Sequence, residues 1–82
     1  MISNIHLQVV LGNNLTNTGR FFSNSLREVH FPRATIISDE AFRNRTTLEI
    51  AYFPLATEIG KFAFNNCHNL VNVNIPNLKT IR

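Results

Sequence analysis

The sequence predicts a solenoid, a coil of stacked turns with short parallel β-strands on one side and an irregular, turn-like opposite side. Two observations carry this prediction. Pro32, Pro54 and Pro76 recur at one constant interval. Sliding the sequence by the same interval superposes apolar residues on apolar residues around each proline. Repeats of this length are typical of stacked architectures, so we expect about 22 residues per turn. Residues 53–76 hold one complete copy.

Residues 1–25 carry a degraded version of the repeat. Apolar residues alternate with others near the start, which suits a strand with one covered face. The residues expected on that covered face are Ile5, Leu7, Val9 and Leu11. At the interval of the prolines, Leu15 would take the position that Ile37 takes later, and Gly12 opens a turn because Gly tolerates left-handed backbone. We expect an irregular first turn or N-terminal cap here.

The pattern is regular over residues 26–82, where the last copy is incomplete. Each copy begins with apolar residues two apart, as in a strand, and continues through a proline and an extended stretch to an Ala-Phe turn. The apolar positions of the first copy are Leu26, Val29, Phe31, Ala34, Ile37, Ala41 and Phe42. Proline suits the strand end because it donates no ladder hydrogen bond. In the complete copy, the best buried side chains should be Phe53, Ile59 and Phe64.

Composition excludes several classes of protein. A length of 82 residues allows one domain at most, and the formal net charge of +3 gives a weakly basic surface without selectivity among polyanions. Cys67 is the only cysteine, so an intrachain disulfide is impossible. We expect no membrane span, because long apolar runs are absent, and no signal peptide, because residues 1–11 lack a basic start followed by an apolar stretch.

The candidates for catalysis are few, and we expect no enzyme, no cofactor and no metal site. Cys67 and His68 are adjacent, so their side chains diverge, and Cys67 is better explained as a small buried hydrophobe. The three histidines lie in different units without ligand spacing. The acidic pair Asp39 and Glu40 suits a solvated turn. Three scattered glycines provide no phosphate-binding loop.

Nucleic acid is not an expected partner. Arg43 and Arg45 flank one turn and could form a basic patch, but no aromatic residue for base stacking is evident beside them. Two Asn-x-Thr triplets, at residues 14–16 and 44–46, fit the N-glycosylation pattern. Such triplets also arise by chance in a chain rich in asparagine.

The strand face opposite the core is the most specific candidate for binding. Because side chains alternate along a strand, one set of residues should point outward and align in two columns across the stack. That set is Glu28, His30, Ile50, Tyr52, Asn72 and Asn74. Curved stacks present this face as a binding surface, and tyrosine is favoured at interfaces. The alternative interpretation is an ordinary solvated surface.

Several residues at matching spacing resemble the leucine-rich repeat superfamily, in its BspA-like branch. They are Cys67, Leu70, Val73, Ile75 and Pro76, together with Ile59-Gly60 and Ala63-Phe64. The preceding unit departs from the family pattern, with Arg45 in place of Cys and Ser38 in place of Gly. Ala34, Ala56 and Leu78 stand where the general signature has Asn or Cys, so no asparagine ladder is expected there. The resemblance covers residues 26–82 and implies a leucine-rich repeat solenoid.

The resemblance also implies a class of function, because such proteins are similar to surface, adhesion and phage tail-associated modules that bind other macromolecules. The leading hypothesis is a non-enzymatic module for recognition of, or adhesion to, a protein or surface glycan, located at a cell surface or on a virion. The alternative is a structural spacer or self-assembling segment of a longer array. The pattern still runs at Leu78 and Ile81, so self-association through the C-terminal edge is expected.

Overall fold

A computed structural model of the chain describes residues 8–82. That range contains short strands joined by turns and bends, and no helix. The strands, in chain order, are β1 (Val9–Leu11), β2 (Glu28–His30), β3 (Ile36–Ile37), β4 (Ile50–Tyr52), β5 (Glu58–Ile59), β6 (Asn72–Asn74) and β7 (Thr80–Ile81).

The strands form two parallel sheets on two sides of a coil. One sheet has the order β1-β2-β4-β6, and the other has the order β3-β5-β7. In the first sheet Val29 pairs with Ala51 and Ala51 with Val73; in the second, Ile37 pairs with Ile59. Every one of these pairs repeats the interval of the prolines, so the predicted leucine-rich repeat solenoid is confirmed. The extended stretch after each proline forms the second sheet.

The core is a set of columns in which like residues stack on like. Phe31 and Phe53 lie parallel with ring centroids 5.2 Å apart, and Phe42 and Phe64 do so at 5.5 Å. The two columns meet edge-on, with Phe31 and Phe42 6.3 Å apart. Because each copy places the same ring at the same position, the rings of successive turns stack on one another, as the repeat predicted. The largest fully buried side chains are Phe31, Phe42, Phe53, Leu26, Ile37, Leu48 and Val29.

The third side of each coil is the tight turn predicted around Ala-Phe, and its backbone is left-handed at two positions. Glu40 and Phe62 have φ of 57°, and Asn44 and Asn66 have φ of 62°. These pairs are again one turn apart. The Asn66 side chain donates a hydrogen bond to Oδ1 of Asn44 at 2.7 Å, which links the two turns on their outside. Asparagine tolerates this backbone region better than most residues.

The prediction of which β1 side chains face the core is wrong. Val10 pairs with Val29 and packs against the core, whereas Val9 and Leu11 are 45% and 64% exposed. The interval from Val10 to Val29 is shorter by three positions than the interval from Val29 to Ala51. Because three is an odd number, this shorter offset moves the opposite set of side chains inward. Ile5 and Leu7 lie outside the described residues.

The same offset displaces Leu15 from the position predicted for it. Asn17 bridges to Ile36, so Thr18 stands opposite Ile37, while Leu15 is exposed. Thr18 is buried there because its hydroxyl is satisfied: it donates to the carbonyl of Gly19 at 2.9 Å and accepts from the amide of Ser38 at 3.0 Å. That residues 1–25 act as a cap stays a prediction.

The best-buried turn lies one repeat earlier than predicted. Phe53 is fully buried, but Ile59 and Phe64 are only partly buried and pack against the edge of the core. Within residues 8–82 no later ring stacks on Phe64, whereas Phe42 has Phe21 on one side and Phe64 on the other. A side chain is fully buried here only when turns cover it from both directions.

Candidate functional site

The six residues predicted to face outward lie on one face of the four-stranded sheet. The strand register aligns them in two columns: Glu28, Ile50 and Asn72 in one, and His30, Tyr52 and Asn74 in the other. The intervening Val29 and Ala51 point into the core and are fully or almost fully buried. The alternation of strand side chains therefore brings all six together, although a role in binding stays a prediction.

A concavity of about 460 Å³ lies over the C-terminal half of this face. It is lined by His30, Ile50, Ala51, Tyr52, Asn72, Val73 and Asn74. Tyr52 is 40% exposed, while its neighbour Ile50 is half-buried. A tyrosine ring beside a half-buried isoleucine gives the concavity an apolar floor. We call these lining residues the strand-face groove.

One side of the strand-face groove is held by contacts within the face. Nε2 of His30 lies 3.2 Å from Oε1 of Glu28, two residues earlier on the same strand. The imidazole of His30 also lies against the Tyr52 ring, with centroids 6.0 Å apart and planes tilted by 48°. Glu28 thus orients His30, and His30 contacts one side of the Tyr52 ring, which remains partly exposed.

The two asparagines of β6 differ from the asparagines around them. Asn69 donates its side-chain amide to the carbonyl of Thr46 at 2.7 Å, and Asn77 donates to that of Pro54 at 2.6 Å. The hydrogen bonds of those two amides connect one turn of the coil to the next. The amides of Asn72 and Asn74 make no such bond with any residue in the range 8–82, and both are exposed. Their donors and acceptors are available to a ligand.

Neither a metal-binding cluster nor a thiol with a lowered pKa is found in the described part of the chain. Groups of three or more His, Cys, Asp or Glu that could hold a metal are absent from it. Cys67 is half-buried, and its Sγ donates to the carbonyl of Phe42 at 3.1 Å. Burial raises the pKa of this thiol, against smaller lowering effects of a backbone hydrogen bond from Arg45 and of its charge. The site favours a packed thiol rather than a nucleophile.

A second exposed cluster on the turn side was missed by sequence reasoning. The guanidinium of Arg20 lies 5.0 Å from the ring centroid of Phe22, and that of Arg43 lies 5.1 Å from that of Phe62. Glu40 joins the two, with Oε1 at 3.2 Å from Arg20 and 3.5 Å from Arg43. These residues come from three different turns. The pairs Arg20–Phe22 and Glu40–Arg43 are close in sequence, but Arg20–Glu40 and Arg43–Phe62 join different turns and need the stacked geometry, so the sequence alone did not show the cluster.

This cluster corrects one premise about nucleic acid. The expectation was that no stacking aromatic lies beside Arg43, but Phe62 does. The carboxylate of Glu40, shared by Arg20 and Arg43, partly neutralises both guanidinium groups. A phosphate backbone would meet that carboxylate at the centre of the cluster, so the prediction that nucleic acid is not a partner is retained on different grounds.

Over residues 8–82, the structure has no helix with the length and apolar character needed to cross a membrane.

Comparison with known proteins places the chain in a family. No curated protein and no solved structure matches it. A family model described as the BspA type leucine rich repeat region (6 copies) matches residues 3–82, which is nearly the whole chain. The match agrees with the constant repeat register of the two parallel sheets. The chain therefore belongs to the BspA type leucine-rich repeat family.

Proposed function

We propose that the chain is a non-enzymatic recognition module that binds a protein or a surface glycan through the strand-face groove. The observation that carries the proposal is Tyr52, an aromatic ring 40% exposed beside the half-buried Ile50 at the centre of a concave sheet face. Repeat arrays use this face for binding, and tyrosine contributes large contact area with little loss of conformational freedom. Adhesion at a cell surface or on a virion is the setting that the family resemblance favours.

The proposal is tested by selecting ligands from libraries, which does not require the natural partner to be identified. The chain is immobilised and used to enrich a displayed random-peptide library, and in parallel it is labelled and applied to a glycan array. Ligands from either source are then measured against Tyr52→Ala. We expect roughly tenfold weaker binding, because the exposed ring is the largest apolar contact in the groove.

The matched control is Phe62→Ala, which removes a ring that is 57% exposed on the turn side of the coil. Binding should be unchanged in this variant. The free energy of unfolding of both variants should lie within about 1 kcal/mol of that of the parent, because neither ring belongs to the core and the contact of Phe62 with Arg43 is exposed. Ligands that bind Tyr52→Ala and the parent equally well would contradict the proposal, and a clear loss of melting temperature in Tyr52→Ala would make the ring structural instead.

A structural role in a longer array is the second candidate function. It rests on the exposed C-terminal end of the described stack and not on the strand-face groove. Within residues 8–82, β6 and β7 pair on one side only, and the inward-facing Val73 is 51% exposed. An uncovered strand edge and an uncovered core column together favour stacking against another repeat unit. This candidate predicts association of the chain with itself.

A further inference from the structure

The chemistry of the strand-face groove identifies the class of ligand, and we infer that it is a neutral glycan, bound as one or two sugar residues. The inference rests on the proposed function and deepens it. Three features support it: the volume of the groove, the absence of Lys and Arg among its residues, and the presence of one exposed aromatic ring with two amides that are not hydrogen-bonded within residues 8–82.

The part of the face that residues 8–82 form is small compared with an interface between two folded proteins. Four strands at a spacing of about 4.8 Å, each three residues long at about 3.3 Å per residue, give a plan of roughly 14 by 10 Å. A stable interface between two folded proteins buries about 800 Å² on each partner. The groove volume of about 460 Å³, in contrast, lies within the range of small-ligand sites.

An extended peptide is also a poor fit to this face. Peptides that add to a sheet obtain affinity from main-chain hydrogen bonds to a free strand edge. The backbone of β4 in the groove is already paired on both sides, to β2 and to β6. Among the groove strands, only β6 has an edge that is unpaired within residues 8–82. Over β4 the face offers side chains only, so recognition there must come from rings and amides.

The charge of the face selects against anionic ligands. Glu28 is acidic, and among the six outward residues none is Lys or Arg. Arg27, the arginine next to Glu28 in sequence, is already paired with Glu49 of the next turn at 3.3 Å. A sulfated or sialylated glycan would find no Lys or Arg among the groove residues to bind its charge, so a neutral glycan is the better match.

The groove contains the kinds of polar and apolar group that a pyranose requires. A pyranose ring has an apolar C–H face and a rim of hydroxyl groups. Asn74 stands beside Tyr52 on the adjacent strand, about 4.8 Å away in backbone spacing, and Asn72 lies two residues from Asn74 on the same strand. An amide both donates and accepts, so each matches a hydroxyl, and neither is engaged within residues 8–82.

The test measures the chain against an array of neutral, sialylated and sulfated glycans, followed by NMR titration with the best neutral disaccharide. We expect selective binding of neutral glycans in the millimolar range, with shifts at the backbone amides of β4 and β6. Tyr52→Ala should weaken binding roughly tenfold and Asn74→Ala roughly fivefold. Tyr52→Phe, which keeps the ring, should retain most of the affinity. Asn65→Ala, which removes an exposed amide from the turn side, should have no effect.

Each outcome decides between the two proposals. If only anionic glycans bind, or if no glycan binds while selected peptides bind in a manner dependent on Tyr52, the glycan inference is overturned and the recognition function stands. If neither glycans nor peptides depend on Tyr52, both are overturned. Circular dichroism of every variant establishes that a loss of binding reflects the groove and not loss of the fold.

Discussion

At the scale of single residues, two glycines are required by packing rather than by turn conformation. A Cβ added at Gly60 would overlap the backbone nitrogen and Oδ1 of Asp39, and would lie 2.6 Å from the carbonyl carbon of Ser38. A Cβ added at Gly12 would overlap the ring of Phe31. Gly12 was predicted to open a turn and does so, with the amide of Leu15 donating to its carbonyl at 3.3 Å. What requires a glycine there is the aromatic column of the next coil.

Gly60→Ala should therefore destabilise the chain by about 1–3 kcal/mol, because a backbone atom, which cannot rotate away, occupies the space of the new methyl group. Gly19→Ala is the matched control: its Cβ meets nothing within 4 Å, and only its φ of +66° opposes the change. That strain is about 1 kcal/mol and is partly offset by the smaller entropy of the unfolded chain. Urea unfolding midpoints compare the two, and an equal or larger loss for Gly19→Ala would contradict the packing argument.

The thiol of Cys67 should react slowly. Burial raises its pKa, so at a mildly alkaline pH a smaller fraction is thiolate than in an unfolded chain, and the thiolate is the reactive species. We expect iodoacetamide to alkylate the folded chain several-fold more slowly than the urea-unfolded chain, with the folded rate rising at higher pH. Mass spectrometry follows the reaction. Equal rates in the two states at matched pH would show that the site does not perturb the thiol.

At the scale of elements, the aromatic column is the feature that makes one coil depend on the next. Phe42 contacts the rings of Phe21, Phe31, Phe53 and Phe64 at centroid distances of 5.3, 6.3, 6.1 and 5.5 Å. Of these rings, Phe64 contacts Phe42 and Phe53 alone within residues 8–82, and it is partly exposed. The same residue type at the same repeat position thus has different surroundings.

Phe42→Leu should cost about 1–3 kcal/mol and Phe64→Leu clearly less, since the first loses ring contacts on both sides and leaves a cavity. Against a total stability of about 5–15 kcal/mol, the first variant will be visibly weakened. Chemical unfolding of both variants measures the difference. Equal losses would mean that Phe64 is covered as well as Phe42 is.

The sequence predicted the elements well wherever the interval of the prolines holds. Ala34 and Ala56 were placed in the core and are fully buried, and the columns through Ile50 and Tyr52 followed from alternation. The first turn was mispredicted because its offset is three positions shorter, which inverts which strand residues face inward. Strand register describes how residues of two strands pair. The sequence therefore predicts register only where two successive copies of the repeat have the same length.

The candidate site was predictable in its residues but not in their availability. That Asn72 and Asn74 are free while Asn69 and Asn77 are bonded depends on carbonyl groups one turn away. The brace of His30 by Glu28 likewise needs side-chain geometry at 3.2 Å. The spacing along a strand predicts the direction of a side chain, but whether that side chain is hydrogen-bonded depends on residues of the neighbouring coil.

At the scale of the whole molecule, the two ends of the described stack present different surfaces. At the C-terminal end, Val73 is 51% exposed and Ile81 is 72% exposed, beside strands β6 and β7 that pair on one side only within residues 8–82. At the other end Val10 is half-buried and Phe21 covers part of the core. The C-terminal surface exposes more apolar side chains and is therefore the better candidate for self-association.

We expect the chain to associate with itself as its concentration rises, and Val73→Lys to reduce that association by placing a charge on the open edge. Sedimentation velocity over a range of concentrations measures both. Leu55→Lys is the control, because Leu55 is 49% exposed and lies in the middle of the stack, at the position that Arg33 takes one turn earlier. A parent chain that stays monomeric at every concentration would remove this prediction and the assembly candidate with it.

The constant interval between repeats has a consequence for how such a chain changes length. Removing residues 32–53 would join Phe31 to Pro54, which recreates the Phe-Pro junction already found at Phe53-Pro54. The new neighbours would keep the strand register, because Val29 would then stand opposite Val73, although Phe31 would meet Ile75 in place of a ring. Duplication or loss of one unit therefore preserves the backbone pairing of the coil. The first turn, with its shorter offset, is the one described unit that cannot be exchanged in this way. Gain or loss of whole coils is therefore the natural mode of divergence for this architecture, with the groove chemistry free to vary coil by coil.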